Sequence, residues 1–272
     1  MNEKEVRALV ERMIVELAGQ APTPQVKGAD YHPMERESTA GDGCLDDISE
    51  IDLRRQYLVK DPRNGPAFLD LKRKTPARLG VGRAGARYKT ITMLRMRADH
   101  AAAQDSVFSH VDEAFVDQNG WVFTQTLCAD KDEYLTRPDR GRRFDEQNQA
   151  IIQKTFGRSP KVALVVGDGL SSAAIEANAA DCMQAIRAGL EAYGIPPGPV
   201  LFVKYCRVGA CDHIGDLTGA EVVCMLVGER PGLVTAESMS AYVTYQPHIG
   251  IPESKRTVVS NIHRQGTTAV EA

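Results

Sequence analysis

Residues 161–172 read KVALVVGDGLSS, and this stretch decides the fold class. Its first six residues are short, continuous and rich in β-branched side chains, bounded by glycine, which favours a strand buried on both faces. Glycine and serine then break the run, and an alanine-rich helical stretch extends to Tyr193 before the breaker GIPPGP at 194–199. Strand, glycine turn and helix make one α/β unit. The unit recurs downstream: residues 200–205 read as a strand, 212–217 as a short helix, 221–227 as a strand and 228–232 as a turn. Residues 240–245 and 257–260 supply further strands. Strands that are apolar on both faces and separated by crossovers predict a parallel sheet covered by helices, a Rossmann-like domain over residues 161–272.

Upstream the texture differs. Residues 45–160 read as a mainly helical, basic docking region, with its clearest helical period at 90–111 and another helix at 144–156. The intervening segment 130–143 (DKDEYLTRPDRGRR) is polar and reads as an exposed loop. Residues 20–44 are rich in proline, glycine, serine and acids and predict a flexible linker. In the first nineteen residues, Val6, Leu9, Val10, Met13, Ile14 and Leu17 fall on one stripe of an amphipathic helix. A helix of this kind beyond a linker docks on its own body or on an external groove.

The 272 residues carry a net charge of -3, which hides an asymmetry. Between Arg54 and Arg97 lie thirteen Lys or Arg against Asp61 and Asp70, a local charge of +11. Such a block asks for a partner of opposite sign: nucleic acid, phosphate or an acidic protein face. No apolar run approaches the ~20 residues of a membrane helix. The six cysteines include no C-x-x-C pair and read as reduced thiols rather than a zinc cage or disulfide framework.

Chemistry in an open α/β sheet gathers beyond the carboxyl ends of the strands. The polar candidates there are Asp168 with Ser171, Arg207 with Val208, Glu229 with Arg230, and residues 260–263 (SNIH). The loop 167–172 offers either an anion site at a helix N-terminus or a plain Asp or Ser cap. Glu229, directly after a buried strand, needs donors, which either Arg230 or a ligand supplies. Gly80, Gly82 and Gly85 match G-x-G-x-x-G, but neither a preceding strand nor an immediate helix supports a dinucleotide site, and a loop presenting Arg83 and Arg87 is the alternative. The six histidines form no H-E-x-x-H, and no G-x-S-x-G or P-loop is present. The pattern is that of a binding module or a subunit without its own catalytic residues.

Six stretches together resemble a known family: ARLGVGRAGARYKT at 77–90, LRMRADHAAAQDSV at 94–107, YLTRPDRGRR at 134–143, VVGDGLSS at 165–172, GERPGL at 228–233 and SNIHRQGT at 260–267. They resemble the small (light) subunit of ethanolamine ammonia-lyase. The resemblance implies an adenosylcobalamin-dependent lyase, converting ethanolamine to acetaldehyde and ammonia, in a hetero-oligomer whose large TIM-barrel subunit holds substrate. The small chain then helps enclose cobalamin, with contacts implied at Val208 in YCRVG, Glu229 in GERPG and Val258 in RTVVSNIH. A cysteine is familiar at the last position, so Val258 leaves only a backbone or packing contact. No D-x-H-x-x-G motif is present, since Asp212-His213-Ile214-Gly215 has the wrong spacing, so neither His213 nor another histidine of this chain is expected on cobalt, and no catalytic residue is expected from it. The resemblance also implies that the N-terminal helix addresses the enzyme to a bacterial microcompartment in the cytoplasm, with neither nucleic acid nor membrane as partner. A basic nucleic-acid-binding module built on residues 54–97 is the alternative function, although only Tyr57, Phe68 and Tyr88 are present there for base stacking.

Overall fold

The computed structural model describes residues 47–272; the expected N-terminal helix and the whole of the expected linker lie outside them. After a short 3-10 turn, helix α1 (Gly65–Arg73) is capped by Asn64, whose side chain accepts the Ala67 N–H. The glycine motif then forms a small antiparallel hairpin, β1 (Arg83–Ala84) and β2 (Arg87–Tyr88). Gly85, at a φ of 64°, occupies the first central position of its two-residue turn, where a left-handed backbone suits the strand twist. Arg83 and Arg87 are exposed on it, so this segment is a basic hairpin and not a strand-to-helix phosphate loop. Helix α2 (Thr90–Phe108) follows, and then α3 (Glu113–Gln118) with Asp112 as its cap.

The main sheet begins with β3 (Val122–Gln125), followed by α4 (Lys131–Thr136) and α5 (Glu146–Phe156). Next come β4 (Val162–Gly167), α6 (Ser172–Ala192), β5 (Val200–Lys204) and α7 (Ala210–Thr218). The chain finishes with β6 (Val222–Gly228), β7 (Met239–Tyr245) and β8 (Arg256–Ile262). The sheet order is β3-β5-β4-β6-β7-β8. The first four in that order are parallel, and β7 and β8 are antiparallel to their neighbours.

Alternation along the strands builds two apolar layers. Leu164, Val166, Phe202, Cys224 and Leu226 meet Ala174, Ile175, Ala179, Cys182 and Met183 of α6 on one face. On the other, Ala163, Val165, Leu201, Val203, Val223 and Met225 meet Ile152 of α5 and Ala210, Cys211 and Ile214 of α7. Burying each of these larger side chains contributes about 1.5–3 kcal/mol, and covering both sheet faces explains the continuous apolar runs in the sequence. Because α6 follows β4 on one face and α7 follows β5 on the other, the chain divides at the carboxyl ends of these adjacent strands.

The structure departs from the sequence reading in three places. The expected parallel sheet is mostly, not wholly, parallel: the ten residues joining β6 to β7 contain no helix, and a parallel return needs a crossover of a dozen residues or more. The sheet also draws its edge strand β3 from within residues 45–160, where four residues with one buried side chain are too few to show a period. Residues 130–143 are not an exposed loop, since Lys131 and Tyr134 are buried.

Candidate functional site

The crevice between β4 and β5 is filled by its own polar groups. Asp168, 1% exposed, accepts the Ser172 hydroxyl at 2.8 Å and the Val111 N–H at 3.3 Å. Ser171 caps α6 by accepting the Ala174 N–H at 3.1 Å and donates to the Ala236 carbonyl. The Lys131 ammonium donates to the Gly169 carbonyl at 3.0 Å and lies 5.3 Å from the Tyr134 ring centre. Burial pushes its pKa down, against the opposing pull of Asp168. Of the two readings of loop 167–172, these contacts favour the cap: the loop's side chains are committed to holding α2, α4 and α6 together.

Val208, Glu229 and Val258 arrive on one side of the sheet by three routes. Val208 sits in the loop after β5 and packs against the cluster under α5 and α7. Glu229 directly follows β6, and its N–H donates to the Ser238 carbonyl, so pairing continues one step past the strand. Val258, on β8, is the register partner of Tyr242 on β7, which in turn faces Met225 on β6. Directly opposed residues of an antiparallel pair present side chains to the same face. Tyr242 packs against the same cluster as Val208, and its hydroxyl donates to Glu229 Oε1 at 3.0 Å. Of the two donors weighed for Glu229 in the sequence, Arg230 is not the one used. Arg230 is exposed, and a tyrosine thirteen residues on, unseen in the sequence reading, satisfies the carboxylate. In MSAYVTY the alternation groups Tyr242 with Ser240 and Thr244 and not with the apolar Met239, Ala241 and Val243, so no local signal singled it out.

The strip is supported beside Val258. Arg256, its side chain 1% exposed, makes a two-pronged pair with Asp212 of α7 at 2.9 Å on each prong and also donates to Thr244. The strip is also incomplete. Glu229's second carboxylate oxygen takes no hydrogen bond among the described residues, and Val258 remains 45% exposed. Among the described residues two buried polar atoms lack hydrogen-bond partners: Ser240 Oγ, two residues from Tyr242, and Arg207 Nε, whose guanidinium lies away from the strip, 4.4 Å from the Tyr134 ring centre.

The remaining candidates are engaged elsewhere. His213 Nδ1 accepts the Phe144 N–H at 3.2 Å, and burial together with Arg143 pushes its pKa down. His263, just past β8, bonds Asn261 of that strand at 2.8 Å. Among the described residues no group of three or more His, Cys, Asp or Glu is arranged to hold a metal ion. Cys182 and Cys224 are buried thiols pushed up to about 11 and about 12, which makes them poor nucleophiles. The basic block is partly offset by acids on either side of it: Asp52 pairs with Arg54 and Arg55, and Asp99 with Arg78 and Arg95.

Residues 66–272 match the family model described as ethanolamine ammonia-lyase light chain (EutC). The chain belongs to the ethanolamine ammonia-lyase light-chain family. It is 59% identical over 272 residues to the ethanolamine ammonia-lyase small subunit of Clostridioides difficile, covering all of this chain and 92% of that one. The small subunits of Clostridium perfringens and Listeria monocytogenes are 57% and 52% identical, with the same coverage. Seen within the light-chain family, the stretches GERPGL and SNIHRQGT lie at the end of β6 and at the end of β8, which flank the Tyr242 strip. Among the described residues no helix is long and apolar enough to cross a membrane.

Proposed function

We propose that the chain is the small subunit of an adenosylcobalamin-dependent ethanolamine ammonia-lyase, joined in a hetero-oligomer to a large subunit that carries the substrate chemistry. The observation that carries the reading is family membership along the whole chain, together with an unfinished strip at the residues the resemblance singled out. Bound adenosylcobalamin supplies a radical by homolysis of its cobalt–carbon bond, and positioning it and excluding water fall to the protein. The residues present fit that group. Glu229 offers to the primary amides of a corrin edge a carboxylate oxygen that takes no hydrogen bond among the described residues. Val208 and Val258 offer apolar surface on either side, and without the familiar cysteine at 258 this chain contributes packing there and no sulfur. We read residues 161–272, together with the edge strand β3 and the covering helix α5, as a Rossmann-like domain, a reading supported by the parallel strands, the helices on both faces and the divergence of the chain after β4 and β5.

Residues 1–19 serve in this reading as an address to a bacterial microcompartment, tethered by residues 20–44. What supports it is the apolar stripe of the sequence and its separation from the body by a linker composition. The test is co-purification with the large subunit and a cobalamin absorbance spectrum of the complex, which should show bound cofactor. A chain that is monomeric, partner-free and indifferent to cobalamin refutes the proposal. In the same system, deleting residues 1–19 should leave cobalamin binding and lyase activity intact and abolish encapsulation; loss of activity in the purified deletion protein counts against the address.

A further inference from the structure

We infer that Tyr242 is a positioning residue for cobalamin capture: its hydroxyl fixes one oxygen of Glu229 so that the other is aimed at the ligand. The inference rests on the site reading above. A glutamate at the end of a strand keeps three rotatable side-chain bonds, and ordering such a side chain costs free energy at the moment of binding. Tyr242 removes that cost in advance. Its ring packs against the cluster beneath α5 and α7, its backbone is held between β6 and β8, and its hydroxyl reaches Glu229 Oε1 at 3.0 Å. The bond is charge-assisted, a class stronger than that between neutral groups. Burial and the neighbouring Glu229 push the Tyr242 hydroxyl up to about 12, so it remains a donor throughout any practical assay range.

The position of Tyr242 also couples the other two strip residues. Val258 is its register partner on the same face, and Val208 packs against the same cluster. A single side chain thus relates a loop after β5, a loop after β6 and an edge strand that are distant in sequence. Tyr242 needs no contact with the ligand to act in this way.

The test uses the two-subunit complex carrying Tyr242→Phe, Glu229→Ala or both, titrated by absorbance with cyanocobalamin, which reports binding without turnover. Phenylalanine keeps the ring and deletes only the hydroxyl. Tyr242→Phe should weaken binding about five- to tenfold, in the range of the net worth of a single intramolecular hydrogen bond. The double variant should bind no more weakly than Glu229→Ala alone. In steady-state assays the KM for adenosylcobalamin should rise with kcat unchanged, and the thermal midpoint of the complex should stay near that of the parent. If Glu229→Ala weakens binding but Tyr242→Phe does not, or if the two losses add in full, the positioning role is refuted and the site stands. If Glu229→Ala itself leaves affinity unchanged, the site reading falls and the positioning role falls with it.

Discussion

Replacing Arg256 with methionine should destabilise the protein far more than an ordinary surface ion pair would suggest. The Arg256 side chain is 1% exposed, and its guanidinium spans Asp212 on α7, Thr244 on β7 and Glu253 in the 3-10 turn that precedes β8. These partners have unequal worth. Glu253 is 64% exposed, where solvent screening leaves a pair about 0–1 kcal/mol. Asp212 is only 13% exposed and is met by two parallel N–H groups, so its loss leaves a largely buried carboxylate without a counter-charge. Breaking a buried pair on one side costs about 3–5 kcal/mol, and the residual exposure of Asp212 places this case near about 3 kcal/mol. For a chain of this size that corresponds to a fall in Tm of about 6–12 °C. Urea unfolding of Arg256→Met, Asp212→Asn and the double variant measures it. Neutralising Asp212 should recover part of the loss, so the double variant should be less destabilised than the sum of the singles. A loss below about 1 kcal/mol, or strict additivity, would refute the reasoning, because a surface pair behaves that way. Cobalamin affinity should fall with the same variant, since Val258 lies two residues along the strand that Arg256 ties to α7.

Acid should destabilise the folded chain through His213. Its folded pKa lies below the ordinary value of 6.5, so as pH falls below about 6.5 the unfolded chain takes up a proton that the folded one refuses, and stability declines until the folded pKa is passed. His110 is lowered in the same direction, so His213→Asn, which keeps an acceptor for the Phe144 N–H, should make the decline shallower without abolishing it; an unchanged acid profile would count against the assignment. Gly228→Ala should lower both Tm and cobalamin affinity. A Cβ at 228 would collide with the Ser171 carbonyl, which is backbone at the cap of α6 and cannot swing aside, and overpacking of this kind costs about 1–3 kcal/mol. Parent-like values of both quantities would show that β6 can shift without moving Glu229.

The legible parts of the sequence were those whose signal is local. Val162 to Val166 announce a strand buried on both sides because every side chain there is apolar, and Ser171 sits where a helix cap belongs. β3 escaped notice because it is four residues long at an edge, and its pairing with β5 depends on a strand some eighty residues away. Lys131 misled in the opposite sense. Its ammonium reads as solvent-facing, yet the Gly169 and Ser109 carbonyls receive it in the interior, a partnership that no window around residue 131 displays. The implied site residues were reached through motif resemblance, and their shared relation to Tyr242 was not part of that signal.

Sequence alone determined the α/β class, the approximate strands and helices from residue 161 onward, and the family resemblance, because apolar periodicity, breakers and motifs are written in consecutive residues. Tertiary structure alone decided the order and direction of the strands, the antiparallel turn-back at β7, the spending of Asp168 on caps and braces, and the choice of Tyr242 over Arg230 as the partner of Glu229. Those outcomes depend on which strand lies beside which. Neighbours across a sheet are set by long-range packing and connection length, and a side chain's partner follows from the face it shares with them.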